Sequence, residues 1–231
     1  MRPQVVTTGI VLSRRDYQEA DRIISVLMPD QGKISLIAKG VRRPKSKLAA
    51  GIELFSVSEL TYLPGRSDLK TLISSRLIQH YGNIVKDIKR TMLGYEFLKA
   101  LSKVIEETAG GEYFDLLQHG LAGLDNFDIP IEVVETWFNI HLLDMTGHAP
   151  NLRTDSNGAA LEPGKTYIFS FDEMTFAPGS EGQPTTDLIK YLRMAHVSTT
   201  PALLAQVQAA EELRAIALQM TKSMLKYTLR V

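Results

Sequence analysis

Lys39-Gly-Val-Arg-Arg-Pro-Lys-Ser-Lys47 places five positive charges and no acid within nine residues. Gly40 and Pro44 interrupt any regular element there, so the cations sit on a loop. An apolar run at 34–38 precedes it and a strand-like run at 52–63 follows it. A basic loop held between two strands suits a phosphate backbone. The competing reading is a solubilising surface loop, and for one basic loop taken alone that plainer reading has the better odds. The rest of the chain decides between them.

Working outward, residues 1–80 read as β. Five runs rich in Val, Ile and Thr, at 5–12, 22–28, 33–39, 54–63 and 69–79, are the strand candidates. A polar segment, 13–21, separates the first two. Pro29-Asp30-Gln31-Gly32 joins the second pair, and Pro64-Gly65-Arg66-Ser67 joins the fourth and fifth. Five short strands in about 80 residues point to a small barrel, and the OB-fold is the five-stranded barrel that binds oligonucleotides. An SH3-like barrel fits the same pattern.

After Tyr81-Gly82 the period changes. Ile84, Ile88, Met92, Tyr95, Leu98, Leu101 and Ile105 recur at helical spacing, and Gly110-Gly111 ends that helix. A second helix spans 113–124. A third opens at Pro130 and runs through Trp137, Phe138 and His141 to Gly147. Trp137 and Phe138 read as core. His141 and His148 have no thiol or third ligand nearby and read as structural or surface histidines. Eight Gly and Pro residues punctuate 149–186, which reads as a small irregular insertion around a strand at 165–171. Helices resume at 186–197 and at 201–227, the last with a break near Gln208. The fold class is therefore α+β. An OB-fold nucleic-acid-binding domain at 1–80 precedes a helical domain at 81–231, which carries the insertion.

The chain is neutral as a whole, yet residues 1–90 hold 16 Lys and Arg against 8 Asp and Glu, and residues 91–231 hold 10 against 18. One half suits polyanions and the other does not. There are no cysteines, which excludes disulfides, thiolate metal sites and cysteine nucleophiles and fits a cytoplasmic protein. No run of 18 apolar residues occurs, so no membrane partner is expected. Walker A, dinucleotide-binding, HExxH and GxSxG motifs are all missing. Asp16, Glu19 and Asp21 alternate with Arg14, Arg15 and Arg22, as in a solvated mixed-charge turn. No catalytic residue is assigned, and the chain reads as a binding protein rather than an enzyme. The candidate DNA-binding cations are Arg14, Arg15, Lys39, Arg42, Arg43, Lys45 and Lys47, with Arg66 and Lys70 more distant; Tyr17, Phe55 and Tyr62 are candidates for stacking on bases.

These residues also carry a resemblance. Gly9-Ile-Val-Leu, Arg15-Asp16-Tyr17, Glu19-Ala20-Asp21-Arg22-Ile23, Gly32-Lys33 and Ala38-Lys39-Gly40-Val41-Arg42-Arg43-Pro44-Lys45-Ser46 resemble the N-terminal domain of the RecO family of bacterial DNA-repair proteins. Leu142-Leu143-Asp144-Met145-Thr146-Gly147-His148-Ala149-Pro150 is similar to that family's stretch before its zinc-binding insertion. The resemblance implies an OB-fold followed by helices. It implies binding of single- and double-stranded DNA, annealing of complementary strands, and work with RecR to place RecA on DNA coated by single-stranded-DNA-binding protein (SSB). It implies a site for the acidic, apolar SSB C-terminal tail, for which Lys190, Tyr191 and Arg193 are candidates. Many members hold zinc through two CxxC pairs. Here the corresponding positions fall at Thr154 and Asn157 and near Ala177 and Ser180, so no zinc and no other cofactor is expected. A plain single-strand or RNA-binding OB protein, or a scaffold whose charge serves a protein contact, are the rival functions.

Overall fold

The computed structural model describes residues 3–65, 68–105, 111–179 and 186–229. Five strands, β1 (Val5–Tyr17), β2 (Asp21–Met28), β3 (Gly32–Ala38), β4 (Ser56–Leu63) and β5 (Leu69–His80), close into a barrel of order β1-β2-β3-β5-β4. Every pairing is antiparallel except β3 with β5, where Ser35, Leu36 and Ile37 run parallel to Leu69, Lys70 and Thr71. This closed five-stranded order is that of an OB-type barrel, as the strand pattern implied. β3 alternates buried and half-buried positions along its whole length, the period of two that sends Ile34, Leu36 and Ala38 inward. Val11, Ile24, Val26, Leu36, Leu60 and Tyr62 meet them in one core. A 3-10 turn, Ala50–Ile52, plugs the barrel between β3 and β4 with the fully buried Ile52. Gly51 there lies flush on β5, since a Cβ would sit 2.4 Å from Ser75 Cβ.

β1 is longer than its apolar run. Ser13 to Tyr17, expected to be a polar connection, continues the ladder opposite Ser25 to Asp21. Arg15 and Asp16 are exposed here and Arg14 is half-buried, so hydropathy alone gives no sign of the strand.

The chain forms two compact units, Met1–Asp125 and Asn126–Val231. In the first, α1 (Ile88–Val104) and α2 (Gly111–Asp125) accompany the barrel, and Lys33 Nζ donates to the Ser102 carbonyl at 2.5 Å. Asp87 caps α1 by accepting from Arg90 N–H at 2.9 Å. The buried Arg90 in turn donates to the Leu124 carbonyl, one of the free acceptors at the end of α2, at 2.8 Å. Of the apolar residues at helical spacing, Ile84, Leu98, Leu101 and Ile105 are buried, while Ile88, Met92 and Tyr95 are exposed and Leu93 and Phe97 are buried in their place. Both faces carry apolar residues at helical spacing, so spacing cannot choose between them.

In the second unit α3 (Ile131–Met145) is buried nearly all round and central, with α4 (Thr186–Val197), α5 (Pro201–Ala205) and α6 (Glu211–Leu229) packed on it. Trp137 and Phe138 are core, and Trp137 Nε1 donates to the Ser198 carbonyl at 2.7 Å. The insertion holds a hairpin, β6 (Tyr167–Ser170) with β7 (Thr175–Pro178); β7 was not legible in the sequence because Pro178 and Gly179 close on it at once. Among the described residues no helix is long and apolar enough to cross a membrane.

Candidate nucleic-acid interface

The basic loop 39–47 leaves the barrel where β3 ends, and the same rim carries the ends of β1 and β2. Asp16 lies opposite Arg22, which lies opposite Ala38, so the three strands finish level with one another. The loop is fastened to this rim by its backbone. Gly40 N–H donates to Asp21 Oδ1 at 2.7 Å and Arg42 N–H donates to the Ala20 carbonyl at 2.9 Å. Gly40 has φ +66°, a conformation that glycine adopts without strain, and Arg43 N–H then closes back on its carbonyl at 3.1 Å. Between these fastenings Val41 turns inward and joins the barrel core at 4% exposure. Val41 and Asp21 are thus positioning residues that a search for cations overlooks. The sign of Val41 in the sequence is that it is the only apolar residue in the basic run.

With its backbone held, the loop presents its cations outward. Lys39, Arg42, Arg43, Lys45 and Lys47 are exposed, and so is Arg15 on β1. Two of the seven candidates already have carboxylate partners. Arg14 Nη1 is 2.7 Å from Glu53 Oε2, and Arg42 Nε is 3.4 Å from Asp16 Oδ2. Arg15, Lys39, Arg43, Lys45 and Lys47 have no carboxylate partner among the described residues. Asp16 is the rim acid that pairs with arginines, Arg22 and Arg42. The hydrogen bond from Arg22 at 2.8 Å, helped by the charges of Arg42 and Arg14, holds its carboxyl below the usual 3.8.

The three stacking candidates separate. Tyr17, at the end of β1, is 39% exposed. Phe55 is buried with φ +57°, its ring beneath Gly94 and edge-on to Tyr95. Tyr62 is in the barrel core, its hydroxyl donating to Gln31 Oε1 at 2.6 Å. Neither offers a face to a base: Tyr62 is taken up by the barrel core and Phe55 by its packing against α1. Lys70 stands on β5 opposite Leu36, and Arg66 lies outside the described residues.

The second unit disposes of most of the tail site expected at Lys190, Tyr191 and Arg193. Tyr191 is 3% exposed, and burial pushes its phenol up to about 12. Arg193 Nε donates to the Leu152 carbonyl at 2.6 Å. Lys190 is exposed and pairs with Asp187 at 3.0 Å. The buried face of α4 therefore takes Tyr191, which corrects its assignment to a surface pocket.

The insertion is organised by a buried carboxylate. Asp155 is 8% exposed, and its Oδ1 accepts from the N–H groups of Asn157 and Ala159, both at 2.9 Å. Phe169 stacks edge-on against Phe171 at 5.1 Å and Phe176 at 4.9 Å. Thr154, Asn157 and Ala177 offer a hydroxyl, an amide and a methyl where zinc would need thiolates, and Ser180 lies outside the described residues. This donor set does not fit zinc.

Residues 1–81 match the family model described as "Recombination protein O N terminal". The chain is similar to proteins named DNA repair protein RecO. That of Dehalococcoides mccartyi strain 195 is 37% identical over 152 residues, covering 65% of this chain and 59% of that protein. That of Acetivibrio thermocellus is 36% identical over 173 residues, covering 74% and 65%. That of Heliobacterium modesticaldum is 32% identical over 144 residues, covering 62% and 52%. The chain thus spans less than two thirds of the length of these relatives.

Proposed function

Because the chain belongs to the RecO family, through its N-terminal domain and through relatives named for DNA repair, we propose that it is a DNA-binding recombination mediator. On this reading it binds single- and double-stranded DNA, anneals complementary strands and, with RecR, helps to load RecA onto SSB-coated single strands. The observation that carries the reading is a set of five cations, Arg15, Lys39, Arg43, Lys45 and Lys47, without a carboxylate partner among the described residues, on one rim of a closed OB-type barrel.

Annealing asks for a particular combination. Two polyanions must be brought together, so phosphate charge has to be neutralised; base edges must stay free to pair, so sequence must not be read. A loop of Lys and Arg whose neighbouring aromatics are mostly buried meets both conditions. It grips phosphates and offers only Tyr17 as a stacking surface. No bond of the DNA is made or broken in this scheme, so it needs no catalytic group and no cofactor. The insertion keeps its shape through Asp155 and the phenylalanine stack instead of a metal. The SSB tail, acidic with an apolar end, would meet Lys190 with the exposed Met194 and Val197, which follow it at helical spacing on α4.

Titration of mixed-sequence single-stranded DNA, double-stranded DNA and single-stranded RNA at moderate salt tests the proposal. It expects both DNA forms to bind with little sequence preference. Binding of RNA alone would favour the RNA-binding alternative, and absence of DNA binding would favour the scaffold.

A further inference from the structure

The outer face of α1 is apolar where a helix of the first unit should be polar. Ile88 is 72% exposed, Met92 59% and Tyr95 51%, and Val85, just before the helix, is 61% exposed. Single exposed apolar residues are ordinary. These three helical residues follow one another at i, i+4 and i+7, so they form one stripe, directly opposite the buried Leu93, Phe97 and Leu101. Lys89, Lys99 and Lys103 stand on the same exposed arc, without a carboxylate partner among the described residues, and Glu96 is its only acid.

One end of the stripe is held rigidly. The Tyr95 ring meets Phe55 edge-on at 5.2 Å between centroids. Phe55 is in turn locked beneath the helix, where a Cβ on Gly94 would come within 2.8 Å of its ring. Tyr95 is therefore an aromatic anchor whose ordering cost is met before any partner arrives.

Size and charge select the occupant. A helix of 17 residues is about 25 Å long, and one face about 10 Å wide gives on the order of 250 Å². A stable interface takes roughly 800 Å² from each partner, so this face does not support a dimer of the chain and suits a short segment. Three lysines around an apolar stripe, with no carboxylate partner among the described residues, are complementary to carboxylates flanking apolar side chains. Tyr95 is the one planar side chain of the stripe and its ring is already engaged edge-on by Phe55, while Val85, Ile88 and Met92 supply no surface for successive bases to stack on, which disfavours a nucleic acid strand here. We propose that the outer face of α1 docks a short acidic amphipathic helix of a protein partner, with its apolar residues on Ile88, Met92 and Tyr95 and its acids on Lys89, Lys99 and Lys103. This site is separate from the basic loop and stands whether or not the loop binds DNA.

The test uses the full chain and three fluorescent probes: a synthetic helix of about five turns with a leucine stripe flanked by Glu, the same peptide with Lys for Glu, and a single-stranded oligonucleotide. The wild type is expected to bind the acidic peptide with micromolar affinity and the basic peptide not at all. The double variant Ile88→Ser/Met92→Ser, whose residues are exposed and whose fold circular dichroism checks, should lose at least about tenfold for the acidic peptide and nothing for the oligonucleotide. Failure of the wild type to bind the acidic peptide, equal binding of both peptides, or unchanged binding by the variant overturns the proposal. Oligonucleotide binding that falls in the variant overturns it too, and assigns the face to nucleic acid.

Discussion

Removing Arg42, Arg43, Lys45 and Lys47 together, as alanines, has a magnitude that the rim geometry sets. Each cation that neutralises a single-strand phosphate contributes about 0.7 to the slope of log affinity against log salt. The five cations without a carboxylate partner among the described residues give a wild-type slope of roughly −3.5, so binding falls about 130-fold between 50 and 200 mM salt. Arg42 is already paired with Asp16, so its loss should count for little. Arg43, Lys45 and Lys47 should each count in full, which leaves a slope near −1.4 and only about a sevenfold fall over the same range. All four side chains are exposed, so the variant should fold as the wild type does. Fluorescence anisotropy with a mixed-sequence oligonucleotide across that salt series measures both slopes. A variant slope indistinguishable from the wild type, with an unchanged circular dichroism spectrum, would refute the phosphate-gripping role of the loop.

Other expectations follow from the same rim and from the second unit. Asp16→Asn removes the acid that holds Arg22 and Arg42, so it should tighten DNA binding and steepen the slope by roughly 0.7; weaker binding in an anisotropy titration would contradict this. The Asp16 carboxyl is depressed below 3.8, so its pairing is present at neutral pH and is lost only as pH falls through that depressed value. Tyr191 shows the opposite sign. Its folded phenol is raised from 10.0 to about 12, so its contribution to stability is complete below 10.0 and disappears as pH rises toward 12; a Tyr191→Phe variant should show a smaller alkaline loss in denaturant midpoint. Asp155→Ala leaves two backbone N–H groups without their acceptor and should cost about 1–3 kcal/mol in chemical denaturation, while elemental analysis of the wild type should find zinc well below one per chain. Stoichiometric zinc would contradict the packing account of the insertion.

The barrel was legible because two independent patterns agree on it: strand-forming apolar runs in β2 and β3, alternating in β3, and turn chemistry at Pro29-Asp30-Gln31-Gly32, where Gly32 takes φ +66°. The basic loop was legible as composition, since cations and their density are read straight from residue names. What it rests on was not. Val41 and Asp21 hold the loop through a core contact and a backbone hydrogen bond between residues 19 apart, and no local pattern reports such pairings. The rim of β1 escaped for a related reason: an exposed, charged strand has no hydropathic alternation to detect. The covered face of α1 was legible only in part: Leu98 and Leu101 of the spaced set are buried, but Ile88, Met92 and Tyr95 are not, because the helix has two apolar faces and only the surface packed on it says which one is covered. Phe55 and Tyr62 show the same limit for aromatics, since ring identity does not reveal whether the ring faces solvent or core.

The central claim is that this rim brings complementary strands together without reading them. Annealing of complementary oligonucleotides already coated with SSB, followed by fluorescence quenching, measures that directly. The account predicts strong acceleration by the wild type, independent of sequence, and a rate close to the unassisted one for the Arg42, Arg43, Lys45 and Lys47 alanine variant. A variant that anneals as fast as the wild type, or a wild type that binds DNA yet leaves the rate unchanged, would contradict it.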